Sequence, residues 1–217
     1  MPHIFQKARD PISSYSHFIG AALSLLGLIV MSVRLVSEQN ATVLTVVSSV
    51  LFCLSLIMLY CASSIYHFSV ASPKVLVILR KLDHAMIYVL IAGTYTPLLL
   101  TLLPHPNNVI FTTVMWSVAA AGILMKLCWI TAPRWLGTSL YILMGWAIVV
   151  DLPSLAAFSA GGIVLLVGGG IAYTIGGIVY MIKRPNFSTV FGFHELFHIF
   201  VIIGSICHYF MVLFYIV

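Results

Sequence analysis

His194 and His198 stand four residues apart, a spacing that puts both imidazoles on one face of a helix. Two imidazoles so placed are half of a metal site and need a further ligand from elsewhere in the chain. His67 can supply it, and Ser63, four residues earlier, shares its helix face. Asp83 adds a carboxylate able to move a proton. Three imidazoles with one position left for water form the arrangement of catalytic zinc centres. His67, His194 and His198 are therefore the candidate metal ligands. Asp83 is the candidate general base or hydrogen-bond partner of the activated water, and Ser63 a supporting donor. Zinc suits an imidazole site that needs no redox chemistry; iron and nickel stay open as alternatives.

Each of these residues also has a plainer use. A histidine inside a membrane helix can hydrogen-bond a neighbouring helix, and a serine on a packed face is ordinary. Asp83 can pair with Arg80 or Lys81, or sit favourably at a helix N-terminus. The run from His194 to His198 also reads HExxH, in which Glu195 would be the base of a soluble zinc peptidase. Here the motif opens a long apolar stretch and Asp83 is already available, so Glu195 reads as an interfacial or helix-start acid. His84 points about 100° away from Asp83 on a helix, His208 lies about 15 Å beyond His198, and His105 falls in a loop; all three stay outside the expected ligand set.

These side chains must be positioned by membrane helices. The 217 residues are 62% hydrophobic and 7% charged, a balance that excludes an ordinary soluble domain and makes a bilayer the natural solvent. The net charge of +5 is spread over short loops and does not form a nucleic-acid surface. Cys53, Cys61, Cys128 and Cys207 lie inside apolar runs without a CxxC pair and read as packing residues. The first apolar run is too long for a signal-peptide core and is expected to be a retained span.

The pattern predicts an all-α, polytopic seven-transmembrane helix bundle forming one domain, with spans at 17–36, 41–68, 82–103, 109–129, 135–152, 159–181 and 194–217. The runs do not alternate as barrel strands do. Nine of the ten basic residues fall on one side, leaving only Arg34 on the other. The positive-inside rule then puts the N-terminus in the cytoplasm and the C-terminus outside. Under that topology His67 ends span two, while Asp83 and the His194–His198 pair begin spans three and seven. All of them, with His17 at the start of span one, share one membrane depth. Gly168, Ala172 and Gly176 form a small-residue stripe on span six. Pro97 is expected to kink span three and shape a cavity.

The set Ser63-xxx-His67, Asp83 within Lys81-Leu82-Asp83-His84, and His194-xxx-His198 resembles the hemolysin III branch of the progestin and adipoQ receptor superfamily, over nearly the whole chain. The resemblance implies seven spans, zinc on the three histidines and an acid, Asp83, near the activated water. It also implies kinship with alkaline ceramidases. The N-terminal arm of about sixteen residues lacks the large cytoplasmic domain of the animal receptors, which points to a bacterial-type member in the cell membrane. The leading expectation is zinc-dependent hydrolysis of a lipid amide or ester within the membrane, with a membrane lipid as substrate or regulator and no nucleic-acid partner. The alternatives are a lipid-sensing or membrane-energetics regulator with structural zinc, and a pore-forming or cytolytic protein.

Overall fold

The computed structural model describes residues 2–151, 155–156 and 158–217. Among these, seven α-helices carry the fold and no strand occurs: α1 (Pro11–Ser37), α2 (Val43–Phe68), α3 (Pro73–Leu102), α4 (Asn107–Cys128), α5 (Arg134–Gly145), α6 (Ala160–Ile182) and α7 (Phe193–Tyr215). A short 3-10 turn, His3–Lys7, precedes α1, and another, Ala147–Asp151, follows α5. Local chemistry sets the helix ends. Proline opens α1 and α3, where its missing N–H is no loss. The Thr42 and Ser159 hydroxyls accept from Thr45 N and Gly162 N, each at 3.1 Å, to cap α2 and α6.

The first helix is turned inside out relative to one in a soluble bundle. The buried face of α1 carries Ser13, Ser14, His17, Gly20, Ser24 and Gly27, while Leu23, Leu25, Leu26, Ile29 and Val33 face outward. On α1, small and polar residues therefore line the helix contacts and large apolar ones face outward, whereas α2 and α3 bury Phe52, Leu56, Leu59, Tyr88, Leu90 and Leu98 in the core. Successive helices pack as neighbours, and α7 closes the bundle against α1. Six helices are long and apolar enough to cross a membrane, so the chain is a multi-pass membrane protein.

The fifth expected span differs. In place of one continuous helix over 135–152, α5 has 12 residues, and its chain goes on as the 3-10 turn Ala147–Asp151. Twelve residues reach only about 18 Å, short of the ~30 Å hydrocarbon core. The break is stabilised from α3. The Tyr95 hydroxyl donates to Gly145 O at 2.7 Å and accepts from Ile148 N at 3.1 Å, satisfying backbone groups that the interruption frees. Leu152, the far end of that expected span, lies outside the described residues.

Two helices begin well ahead of the expected residue. α1 starts at Pro11 and α3 at Pro73, so Asp83 sits in the third turn of α3 and cannot cap it. Arg80 and Lys81 belong to that helix as well, not to a loop. They reach the C-terminal end of α4, where Arg80 Nη2 donates to Ile130 O at 3.0 Å and Lys81 Nζ to Leu127 O. The small-residue stripe on α6 is shifted: Gly169, Ala172 and Gly176 are buried, whereas a Cβ on Gly168 would meet open space. A Cβ at Gly169 would strike His208, and one at Gly176 would lie 2.8 Å from Phe200 Cβ, so these glycines set the close approach of α6 to α7. Pro97 is buried within α3, which continues through it.

Candidate metal centre

The start of α1, the end of α2 and the start of α7 are tied together at one end of the bundle. Ser14 Oγ donates to Ser64 O at 3.1 Å, and Ser64 Oγ returns the bond to Ser14 O at 3.0 Å. Ser13 Oγ donates to Glu195 Oε1 at 2.9 Å, while Glu195 Oε2 accepts from Gly192 N at 2.9 Å. Glu195 thus caps α7 and pins it to α1, which is the helix-start role and not that of a zincin base.

Within this frame the rings of His67, His194 and His198 form a near-equilateral triangle. Their centroids lie 4.9 Å (His67 to His194), 5.0 Å (His67 to His198) and 4.7 Å (His194 to His198) apart. One ring nitrogen from each lies within 4.8 Å of the other two. His67 and His194 face each other through Nε2 at 3.2 Å. Two nitrogens bound tetrahedrally at zinc distances would stand about 3.3 Å apart, so the donor set fits an ion of that kind in both chemistry and spacing.

Asp10, just ahead of α1, orients the His67 ring. Its Oδ2 lies 2.9 Å from His67 Nδ1, its backbone N–H donates to His67 O at 3.0 Å, and Arg9 Nε donates to the same carboxylate at 3.0 Å. The hydrogen bond from His67, helped by Arg9 and opposed by partial burial, holds the Asp10 carboxyl at about 2, below its ordinary value. An ionised Asp10 only accepts, so the His67 proton sits on Nδ1 and Nε2 offers its lone pair to the centre. Arg9 is held in turn 4.3 Å above the Tyr66 ring. Asp10 escaped the sequence reading, although its place just before the helix-opening Pro11 puts it level with His67.

His17 shares the layer and stacks on His198, with centroids 3.7 Å apart and planes inclined at 15°. It is buried with neither ring nitrogen hydrogen-bonded among the described residues. Two cavities meet at the centre. One, of about 130 Å³, is almost wholly apolar and runs among α2, α3, α5, α6 and α7 from His17, Ser63 and His198 to His208. The other, of about 360 Å³, is a polar cleft that includes Asp10, His67 and Glu195. Asp83, His84, Thr138, Tyr141, Tyr180 and His194 line both and form the neck between them.

Asp83 thus shares the neck with His194; its carboxylate lies 3.5 Å from His84 Nδ1 and pairs with neither Arg80 nor Lys81. His84, expected to turn away, stands in the neck as well, with Nδ1 2.8 Å from Arg80 O. Ser63 is buried against the apolar cavity and makes no hydrogen bond to Asp83. His208 lies at the far end of that cavity, its Nε2 3.1 Å from Leu166 O.

Comparison with known proteins follows the same lines. The family model described as "Haemolysin-III related" matches residues 5–209, which takes in the whole histidine centre. The chain belongs to this family. It is 35% identical over 218 residues to "Hemolysin-3" of Bacillus cereus, an alignment covering 100% of this chain and 96% of that protein. It is 36% identical over 213 residues to a "Hemolysin-3 homolog" of Bacillus subtilis (strain 168), covering 98% and 96% respectively. Membership agrees with the superfamily resemblance and with a multi-pass protein of the cell membrane.

Proposed function

We propose that this haemolysin-III family member is a zinc-dependent hydrolase of a lipid amide or ester, working at the neck between the two cavities. The observation that carries this reading is the convergence of three imidazoles where an apolar cavity of acyl-chain character opens into a polar cleft. His67, His194 and His198 would hold the ion. When bound, zinc supplies Lewis acidity that polarises a carbonyl and brings the pKa of a water toward about 7.

The chain's own residues do the rest. The apolar cavity takes the hydrocarbon chain and excludes bulk water from it. Asp10 keeps His67 in the tautomer and orientation that direct Nε2 at the centre. The Asp83 carboxylate takes the proton of the attacking water and delivers it to the departing nitrogen or oxygen of the lipid. Ser63, facing the apolar cavity, is placed to donate to a substrate oxygen. Positive-inside charge puts this end of the bundle at the cytoplasmic face.

The test is purified protein against a panel of lipid amides and esters, with and without chelator, alongside Asp83→Asn. Chelator-sensitive turnover lost in Asp83→Asn with metal content unchanged supports hydrolysis. Inactivity of metal-replete wild type across the whole panel sinks it.

A second reading is favoured by the hydrogen bonds that join α1, α2 and α7 around the histidines. In it the ion is a structural staple and the protein senses lipid state. An Asp83→Asn protein with an unchanged phenotype would support that. The names of the two relatives bring a third reading, cytolysis, which predicts dye leakage from defined liposomes.

A further inference from the structure

The polar cleft is lined by basic residues that the metal centre does not use. Arg80 of α3, Lys126 of α4 and Arg134 of α5 line it together with Asp10, Asp83 and Glu195. Two of the acids are engaged, Asp10 by Arg9 and His67 and Glu195 by Ser13 and the Gly192 amide, while Asp83 lies 3.5 Å from His84 Nδ1. The three cations have no carboxylate within ion-pair distance among the described residues. Arg80 uses one amino group on Ile130 O, and Arg134 lies 4.9 Å above the Tyr180 ring and 5.5 Å above Phe193.

Lys126 decides the matter. Positive-inside bias accounts for basic residues that reach the surface, as exposed Arg134 does. It does not account for a lysine that is 4% exposed and turned toward the inside of the bundle. Room for it comes from Gly137 of α5, where a Cβ would stand 2.5 Å from Lys126 Nζ and 3.2 Å from its Cε. A buried ammonium without a counter-charge is costly. An oxyanion in the cleft would balance it, with two guanidinium groups from adjacent helices as further partners.

We propose that the cleft binds the phosphate-bearing headgroup of a lipid whose chain lies in the apolar cavity. The two cavities share the neck residues, so one amphiphile can fill both with its head among Arg80, Lys126 and Arg134. This names the lipid class for the reading above and rests on that reading only for the placement of the scissile bond at the neck. Binding itself needs neither metal nor turnover.

The experiment uses the full chain in phosphatidylcholine nanodiscs, titrated with acyl-labelled phosphatidate, with labelled phosphatidylcholine and soluble glycerol phosphate as the comparison arms. Phosphatidate is expected to bind saturably and in preference to phosphatidylcholine, and glycerol phosphate to compete only at much higher concentration. Lys126→Met should weaken phosphatidate about tenfold, the loss of one charged hydrogen bond, with metal content unchanged. Arg134→Gln, at an exposed position expected to fold regardless, should weaken it less but measurably. Equal binding of the two lipids, or wild-type affinity in Arg134→Gln, would overturn the proposal. Glycerol phosphate binding as tightly as phosphatidate would overturn the assignment to a lipid. Selective binding without turnover would count against hydrolysis alone; turnover without headgroup selectivity would count against this site alone.

Discussion

The apolar cavity has a buried histidine at each end, and the two ends are built differently. At one end His198 joins His67 and His194 in a triangle, with Asp10 fixing one tautomer and Asp83 in the adjoining neck. At the other, His208 is alone, meets the Leu166 carbonyl through Nε2, and fits against α6 because Gly169 has no side chain. Both ends hold an imidazole away from water. Only one brings several donors to a common point and couples one of them to a carboxylate, Asp10. Burial of a histidine is therefore not itself a sign of chemistry; convergence is.

That contrast can be broken most decisively by His198→Ala, which removes one of three ligands. Elemental analysis of protein purified without chelator should show bound metal falling from near stoichiometric to background, while a His208 variant keeps it. Equal loss from both would erase the distinction. Asp83→Asn comes next: hydrolysis should fall by about 10²- to 10⁴-fold with metal retained, as expected for a missing general base. A smaller effect is expected of Asp10→Asn, which leaves the three ligands but loosens the His67 ring; metal affinity should drop about 10- to 100-fold in competition with a chelator. An unchanged affinity would show that His67 is oriented by packing alone. The smallest change belongs to His208→Leu, which gives up one hydrogen bond and should lower thermal stability by about 1 kcal/mol without altering metal content.

Much of the end that carries the three imidazoles could be read from the chain because its evidence is local or depends only on helix direction. The His194–His198 spacing fixes a shared face whatever surrounds it. Alternating helix direction brings the end of α2 and the start of α7 to one level, so His67 could be paired with residues more than a hundred positions away. Asp83 shares the neck with His194 but lies in the third turn of its helix and not the first, since α3 starts at Pro73 and its charged early turns are helix, not loop. The break after Gly145 was hidden for a similar reason: hydropathy stays high across it, and the Tyr95 hydroxyl that satisfies it comes from another helix. His84, assigned to another direction from its angle beside Asp83, reaches the neck because the cavity is wide enough to touch both.

By itself, then, the sequence determined the solvent, the helical class, the family pattern and the set of imidazoles able to meet, because hydropathy and a 3.6-residue period are properties of neighbouring residues. The tertiary structure decided which groups face one another: Asp10 against His67, Glu195 against Ser13, Gly169 rather than Gly168 against α7, and Lys126 turned inward over Gly137. Those contacts depend on the rotation of each helix about its own axis. Packing between helices sets that rotation, and no single segment contains it.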